Sequence, residues 1–598
     1  MGRWTGLWVV MTAGLMACGP ESGESPAELI HRSSGGAVGG EDAQATPPAT
    51  QPEAPAPVTQ EPPPATPPLP SPVRGEYPAV QTRVPVVELR IAPADLARLD
   101  ANPEADVTVP VVMVLDGVSA PGQVSYRGAS TRTLPQKSFK VELDSGHDFA
   151  DRDHFELLAS WYDSGKLTEK FAVDLYTAMG LPVPTARYVR VSVNGQHAGL
   201  YVDMEHVGKD YVKAHGLEKG SAVYRCGHRN CELTLKPGSY QTDFEKKTQE
   251  ETGRADLDAL LADINRSDDA DFEARLERSV DVESYLGNLA ADMLISNNYI
   301  EDSRSYWIHE LGKDRWQYTP WDLNNAQMLS WRTWAPEDPP ITNRWPQTFS
   351  LYDPWVQRLY EQRAGERVGQ KPTWNVLNTR IWDRPALRAR LIGKLKDALA
   401  GPFSEAKALA HVDALWAVAG PEMAKDPYAS PAHVARARDF LRTYVIKRRA
   451  FLLDTLKTLE AHGAGPLVIH EVAAGSAGYV ELYNRGTVAV NLQGYELTND
   501  LRTVTRPRLP AVTLAPGAKL RLVADGNPSA GTLHLPFTLS SSSGGELGLF
   551  NGNKLSTSGK PLVHTPEDAL YFGPLPTTQA YGRQTPGSED FMRRARTP

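Results

Sequence analysis

From Pro47 to Pro72 the chain carries 12 prolines in 26 residues, interleaved with Ala, Thr, Gln and Glu. Such a stretch has few backbone donors and almost no bulky apolar groups. It cannot bury enough surface to offset the entropy of ordering, and is expected to be an extended tether. Fully drawn out at about 3.1 Å per residue, it reaches roughly 80 Å. The folded part must lie beyond it, in a body long enough for two or three cores. We place a leader at 1–18, the tether at 19–80, a first folded domain at 81–462 and a second at 465–590. A net charge of −9 is mild for 598 residues, and no basic run stands out, so nucleic-acid binding is not expected.

In the leader, Arg3 precedes an apolar run from Leu7 to Ala17 that is too short to span a bilayer and reads as a signal peptide. Its end, Leu15-Met16-Ala17-Cys18, resembles the lipobox of bacterial lipoproteins. That resemblance implies cleavage before Cys18 and lipidation of its thiol; a plain secretory signal is the alternative. Gly19, rather than Asp, is compatible with transfer to the outer membrane. The expected location is therefore the bacterial cell envelope, with a lipid anchor. Only Cys226 and Cys231 remain, five residues apart. In an exported chain they read as a loop disulfide, and a zinc site with His228 is the alternative.

Beyond the tether, Val84–Ile91 and Val109–Leu115 alternate like strands, with a turn at Asp116-Gly117. In Lys137–Leu143, Phe139, Val141 and Leu143 share a face with Lys137, while Ser138, Lys140 and Glu142 share the other. A lysine on the apolar face must reach a cleft, an acid or solvent. Lys166–Met179 reads as a helix stopped by Gly180. Arg187–Val193, Asn194-Gly195 and Gly199–Met204 form a hairpin, followed by Glu205. Residues 252–279 look helical and charged, a solvated connector. From Asp281 a helix places Val282, Tyr285, Leu286, Leu289, Met293 and Leu294 on one face.

Trp316 and Tyr318 then alternate like a half-buried strand, which Pro320 stops. Asp322 follows between Trp321 and Leu323, placed at a strand end to hold a divalent cation, or simply to cap a turn. Residues 385–463 are mostly helical, and from Leu467 to Arg583 short strands with Gly, Asn and Ser turns mark a separate all-β domain. No serine elbow, zinc-protease His pair or Walker loop is present in the sequence.

Arg127-Gly128-x-Ser130, Pro135-x-Lys137-Ser138-Phe139, the Asn194-Gly195 hairpin with Gly199, Tyr201 and Glu205, and Trp316-x-Tyr318-x-Pro320-Trp321-Asp322 occur together and in order. In this the stretch from Val84 to Leu459 resembles the CotH family of spore-coat-type atypical protein kinases. Leu467–Arg583 resembles a lamin-tail domain, through Tyr479-Val480-Glu481-Leu482-Tyr483-Asn484, Leu492-x-Gly494-Tyr495 and Tyr581-Gly582-Arg583. The fold implied is an α+β atypical protein-kinase-like domain followed by an all-β immunoglobulin-like sandwich.

The activity implied is phosphoryl transfer from ATP, with Mg²⁺ or Mn²⁺, to a Ser/Thr hydroxyl of a secreted or envelope protein. Transfer to a glycan remains open. On this resemblance Lys137 meets the α/β-phosphates and pairs with Glu205, Arg127 binds phosphate, and Asp322 holds the metal with Asn324 beside it. Asp302, or Glu301 next to it, is the base. The lamin-tail domain implies protein binding or architecture. Its Glu471 and Glu481 read as exposed strand carboxylates, with an acidic site as the alternative. Three departures accompany the resemblance. The position five residues after Asp302, where the family has a metal-binding Asn, is Trp307, and the aligned position is Ser305. Asn324 stands where the family tends to Asp. Thr168-Glu169 replaces a usual Arg-Asn pair. The alternative is accordingly a catalytically inactive kinase-fold binding protein.

Overall fold

The computed structural model describes residues 75–596 apart from 129, 227–232, 234–243, 298–304, 327–375, 461–464, 501–505 and 552–566. Strands β1 (Val86–Arg90), β2 (Thr108–Leu115), β3 (Val118–Arg127), β4 (Ser138–Leu143), β5 (His154–Leu158), β6 (Ala186–Val193) and β7 (Gln196–Glu205) close into a barrel. Its order is β1-β2-β3-β4-β5-β7-β6, and the parallel pairing of β1 with β6 seals it. Alternation decides the inside: Leu89, Met113, Val124, Phe139, Val141 and Leu157 fill it. Both expected tight turns have two consecutive residues at positive φ, 49° and 90° at Asp116-Gly117 and 49° and 78° at Asn194-Gly195. Those angles match the right-handed twist of the flanking strands. Helix α1 (Pro93–Ala101) buries Leu99 against the barrel.

Helix α2 (Thr168–Ala178) lies between β5 and β6 in sequence, and ten of its eleven residues are buried. A second sheet, β8 (Ala222–Cys226), β9 (Glu245–Lys246), β10 (Ser305–Glu310) and β11 (Arg315–Pro320), runs in the order β11-β10-β8-β9. Around it stand α3 (Lys209–Ala214), α4 (Ala255–Arg266), α5 (Asp269–Ser279), α6 (Val282–Ile295), α7 (Val376–Asp383), α8 (Pro385–Ala400), α9 (Glu405–Met423) and α10 (Pro431–Glu460).

Two expectations change here. The charged stretch 252–279 is not a solvated connector. It forms α4 and α5, whose Leu257, Leu260, Leu261, Ile264, Phe272 and Leu276 enter the core because charged and apolar residues alternate at helical spacing. Helix α6 is buried almost all round rather than on one face, since α2, α8, α10 and β11 pack against it. Among the described residues, no helix is long and apolar enough to cross a membrane.

The C-terminal body has β12 (Leu467–Ala473), β13 (Tyr479–Asn484), β14 (Val490–Asn491), β15 (Tyr495–Thr498), β16 (Thr513–Leu514), β17 (Lys519–Val523), β18 (Gly545–Asn551), β19 (Asp568–Phe572), β20 (Gln579–Arg583) and β21 (Phe591–Ala595). A five-stranded sheet, β17-β13-β12-β20-β21, faces a three-stranded one, β15-β18-β19, over a core that includes Ile469, Leu482, Leu497, Leu549 and Leu570. This all-β body is consistent with the immunoglobulin-like sandwich expected. Glu471 and Glu481 are buried, not exposed: Tyr479 Oη donates to Glu471 Oε1 at 2.6 Å, and Lys519 Nζ to Glu481 Oε1 at 2.8 Å. Their strands, β12 and β13, are both flanked on each side within the sheet, so cross-strand neighbours cover the two side chains.

The sandwich is seated on α5. Asp268, just ahead of the helix, accepts from Gly573 N at 2.5 Å and Arg593 Nε at 2.7 Å. Asp269 accepts from Tyr571 N at 3.1 Å and from the fully buried Arg380 of α7 at 3.2 Å. The Arg380 guanidinium lies over both Phe272 (3.8 Å) and Tyr571 (4.7 Å), one ring from each body.

Candidate functional site

Arg127 ends β3, and Gly128 follows at φ +113°, a value L side chains rarely adopt, where a Cβ would meet the Thr131 side chain. The strand therefore stops abruptly and leaves the guanidinium at the barrel rim. Arg127 pairs with Ser138 on β4, and Lys140 pairs with Glu156 on β5, so Arg127 and Glu156 project from one outer face. Arg127 Nε and the Glu156 carboxylate form an ion pair there. The other oxygen of Glu156 takes His206 Nδ1 at 3.0 Å, and the His206 ring stacks on His154 at 4.9 Å. Burial opposes ionisation of Glu156, but Arg127 and then His206 outweigh it and hold its carboxyl down at about 2. The Arg127 guanidinium lies 5.3 Å from the centre of the Trp321 ring.

Trp321 and Leu323 are buried and Asp322 between them is half-buried. The Trp321 ring packs edge-on against Tyr306 at 5.4 Å. These two anchors hold Asp322 in the left-handed region, φ 61° and ψ 50°, a backbone that an L-aspartate adopts only at a cost of about 1–3 kcal/mol. A short 3-10 turn, Leu323–Asn325, then rests on α2. On that helix, Glu169 is 4% exposed and its Oε2 has no hydrogen-bond partner. Burial, and after it the Asp322 charge, push the Glu169 carboxyl up to about 8, against the pull of Arg127. Arg127, Glu156, Glu169 and Asp322 thus form one electrostatic group where the barrel, α2 and the end of β11 meet.

This grouping keeps some of the expected residues together and separates others. Arg127 and Asp322 do share a site. The Lys137–Glu205 ion pair is not made. Lys137 Nζ donates to Arg132 O at 2.7 Å and lies 5.7 Å from the Tyr126 ring centre, because the residue sits just before β4 and bends back over a separate 3-10 turn, Ser130–Thr133. Glu205 accepts from Thr185 N at 2.8 Å and contacts His215 Nε2 at 3.1 Å. Asn324 is exposed. Cys226 is buried and disulfide-bonded, which removes it as a zinc thiolate. Asp302, Glu301, Cys18, His228 and Cys231 lie outside the described residues.

Sequence reading overlooked Glu156 and His206, and noted Glu169 only as a departure from the family pattern. For Glu156 the signal was available: Ser138 and Lys140 form the polar face of β4, and a charged residue between Phe155 and Leu157 belongs to that same face. Glu169 gave no periodic signal of burial beyond that departure, since a charged residue in the first turn of a helix is usually solvated. The donors at Asp322 and Glu169 are carboxylate oxygens, which suit Mg²⁺ or Mn²⁺, and the unpartnered buried oxygen of Glu169 fits a site meant for a cation.

The chain is 23% identical over 389 residues to the inner spore coat protein H of Bacillus subtilis (strain 168), covering 63% of this chain and 99% of that protein. Among solved structures it is similar to a Helicobacter pylori proinflammatory kinase, CtkA, at 12% identity, covering 54% of this chain and 94% of that one with a TM-score of 0.27. Residues 460–560 match the lamin tail domain. Residues 124–452 match the family described as CotH kinase protein, more than half of the chain, and the protein belongs to that family.

Proposed function

We propose that the CotH domain transfers the terminal phosphoryl group of ATP to a Ser or Thr hydroxyl of a protein outside the cytoplasm. The observation that carries this reading is the position of Arg127: it is braced by Glu156, stacked on Trp321, and shares its surroundings with Asp322. Phosphoryl transfer asks a protein mainly for a fixed cation on the phosphates, an acid for the metal and an acid near the attacking hydroxyl. Arg127 is the fixed cation and orients phosphate through its paired N–H groups. Asp322 holds the metal, which when bound neutralises the β- and γ-phosphate oxygens. The acceptor oxygen attacks the γ-phosphorus, the bond to the bridging oxygen breaks and ADP leaves. The hydroxyl proton passes to Asp302, or to Glu301 beside it. The lipobox-like leader supports a lipid-anchored place in the cell envelope, and the lamin tail domain supports docking of a protein partner.

A second reading, a kinase-fold binding protein without turnover, draws on one observation. Trp307 and Ser305, the two positions where a second metal-binding Asn is expected, are both fully buried in β10. Incubating the protein with radiolabelled ATP and Mg²⁺ or Mn²⁺, beside Asp322→Ala, separates the two. Label on the protein or on an added acceptor that disappears in the variant supports transfer. Thermal-shift detection of ATP and metal binding without transfer supports the binding protein, and absence of both binding and transfer overturns the kinase reading.

A further inference from the structure

We propose that Glu169 is the second carboxylate of the divalent-cation site, so that the ion is held between the first turn of α2 and Asp322. The inference rests on the reading of Asp322 as a metal ligand and adds a residue from a different element. Glu169 is 4% exposed, yet its Oε2 has no hydrogen-bond partner. A buried carboxylate oxygen left without a donor costs on the order of 1–3 kcal/mol, so one that persists calls for an occupant. The nearest charges define the occupant's sign. Asp322 is the leading like charge acting on Glu169, and Asp163 adds to it. Among the leading causes the opposing cation is Arg127, which is bonded to Glu156. Two carboxylates that raise each other's electrostatic cost are relieved by a cation that both can reach.

The framework is rigid enough to hold one. Thr168, Lys170 and Phe171 flank Glu169 and are buried; Lys170 is committed to Asp174, with Nζ–Oδ1 at 2.5 Å, and does not turn toward Glu169. The turn Leu323–Asn325 packs on α2, and Leu323 is 2% exposed, so Asp322 and Glu169 are fixed relative to each other by apolar packing. One or two carboxylates completed by phosphate oxygens and water is the usual donor set for Mg²⁺ in nucleotide sites. On this geometry α2 is a part of the site, and Glu169 in its first turn supplies charge that the exposed carboxamide of Asn324 does not.

The test is Mn²⁺ binding to the full chain followed by electron paramagnetic resonance, with and without a non-hydrolysable ATP analogue, for the wild type, Glu169→Gln and Asp322→Asn. Both variants are expected to weaken Mn²⁺ binding roughly tenfold or more, while Glu169→Gln in EDTA unfolds at a temperature no lower than the wild type. A Glu169→Gln protein with unchanged Mn²⁺ affinity, beside an Asp322→Asn protein that loses it, overturns the role of Glu169 and leaves that of Asp322 intact. No Mn²⁺ bound by the wild type under either condition overturns both. If Glu169→Gln destabilises the fold in EDTA, Glu169→Asp decides: restored Mn²⁺ binding upholds the proposal and continued loss overturns it.

Discussion

Arg127 and Glu156 are joined across β4, a strand to which neither belongs. The Lys137–Glu205 pair that the sequence resemblance implied is not formed, each residue being engaged elsewhere. Removing one member of a buried pair strands the other, so Glu156→Ala is expected to cost about 3–5 kcal/mol in urea unfolding. Arg127→Ala should in addition cut ATP affinity about tenfold or more, whereas Lys137→Ala should change it by about twofold at most. A larger loss at Lys137 than at Arg127 in a nucleotide titration would return the phosphate contact to Lys137.

Glu169 gives the protein a pH-dependent stability of predictable sign. Its carboxyl stands at about 8 in the folded chain, well above its ordinary value of 4.5. The folded state therefore binds more protons than the unfolded state between those two values, and stability contributed here falls as pH rises through that window. Glu169→Gln removes this slope. In EDTA the variant's melting temperature should exceed that of the wild type by several degrees at pH 8 and match it near pH 4.5, on the order of 4 kcal/mol of difference. Parallel melting curves across this range would show that the group is ionised throughout.

The seating of the sandwich on α5 predicts joint unfolding. Asp269 serves both Tyr571 N and the buried Arg380. Its replacement by Ala leaves Arg380 without that carboxylate, at an expected cost of about 3–5 kcal/mol. Calorimetry of the wild type should give one transition over both bodies, and Asp269→Ala should split or broaden it. An unchanged single transition in the variant would count against the coupling.

Gly199 lies at φ +113°, and a Cβ there would sit 2.3 Å from Asp426 Oδ2 and 2.5 Å from Gln136 Nε2. Those two groups bind each other at 3.2 Å, and Asp426 also accepts from Leu200 N at 3.0 Å. Gly199→Ala should therefore lower stability by about 2–4 kcal/mol, measured by chemical unfolding, through strain and loss of this buried network.

Local signals carried much of the architecture. The Asn194-Gly195 and Asp116-Gly117 turns, the apolar alternation of Phe139, Val141 and Leu143, and the change of texture at Leu467 all act between near neighbours, and the structure realises each of them. The same reading failed where distant segments decide burial. The charged helices α4 and α5 are core elements because the sandwich and α7 close over them, and Glu471 and Glu481 are buried because β17 and β20 flank their strands.

At the site, sequence alone determined that Asp322 stands at the end of an aromatic strand and that Arg127 precedes a chain-turning glycine, since neighbouring residues impose both. Only the tertiary structure decided which acid meets which base. Glu156 reaches Arg127 through the register of three strands, and Glu169 comes under the charge of Asp322 through the packing of α2 on the turn after β11. Charge pairing depends on distances across the fold, and a periodic pattern along the chain specifies a face, not the group that will stand opposite it.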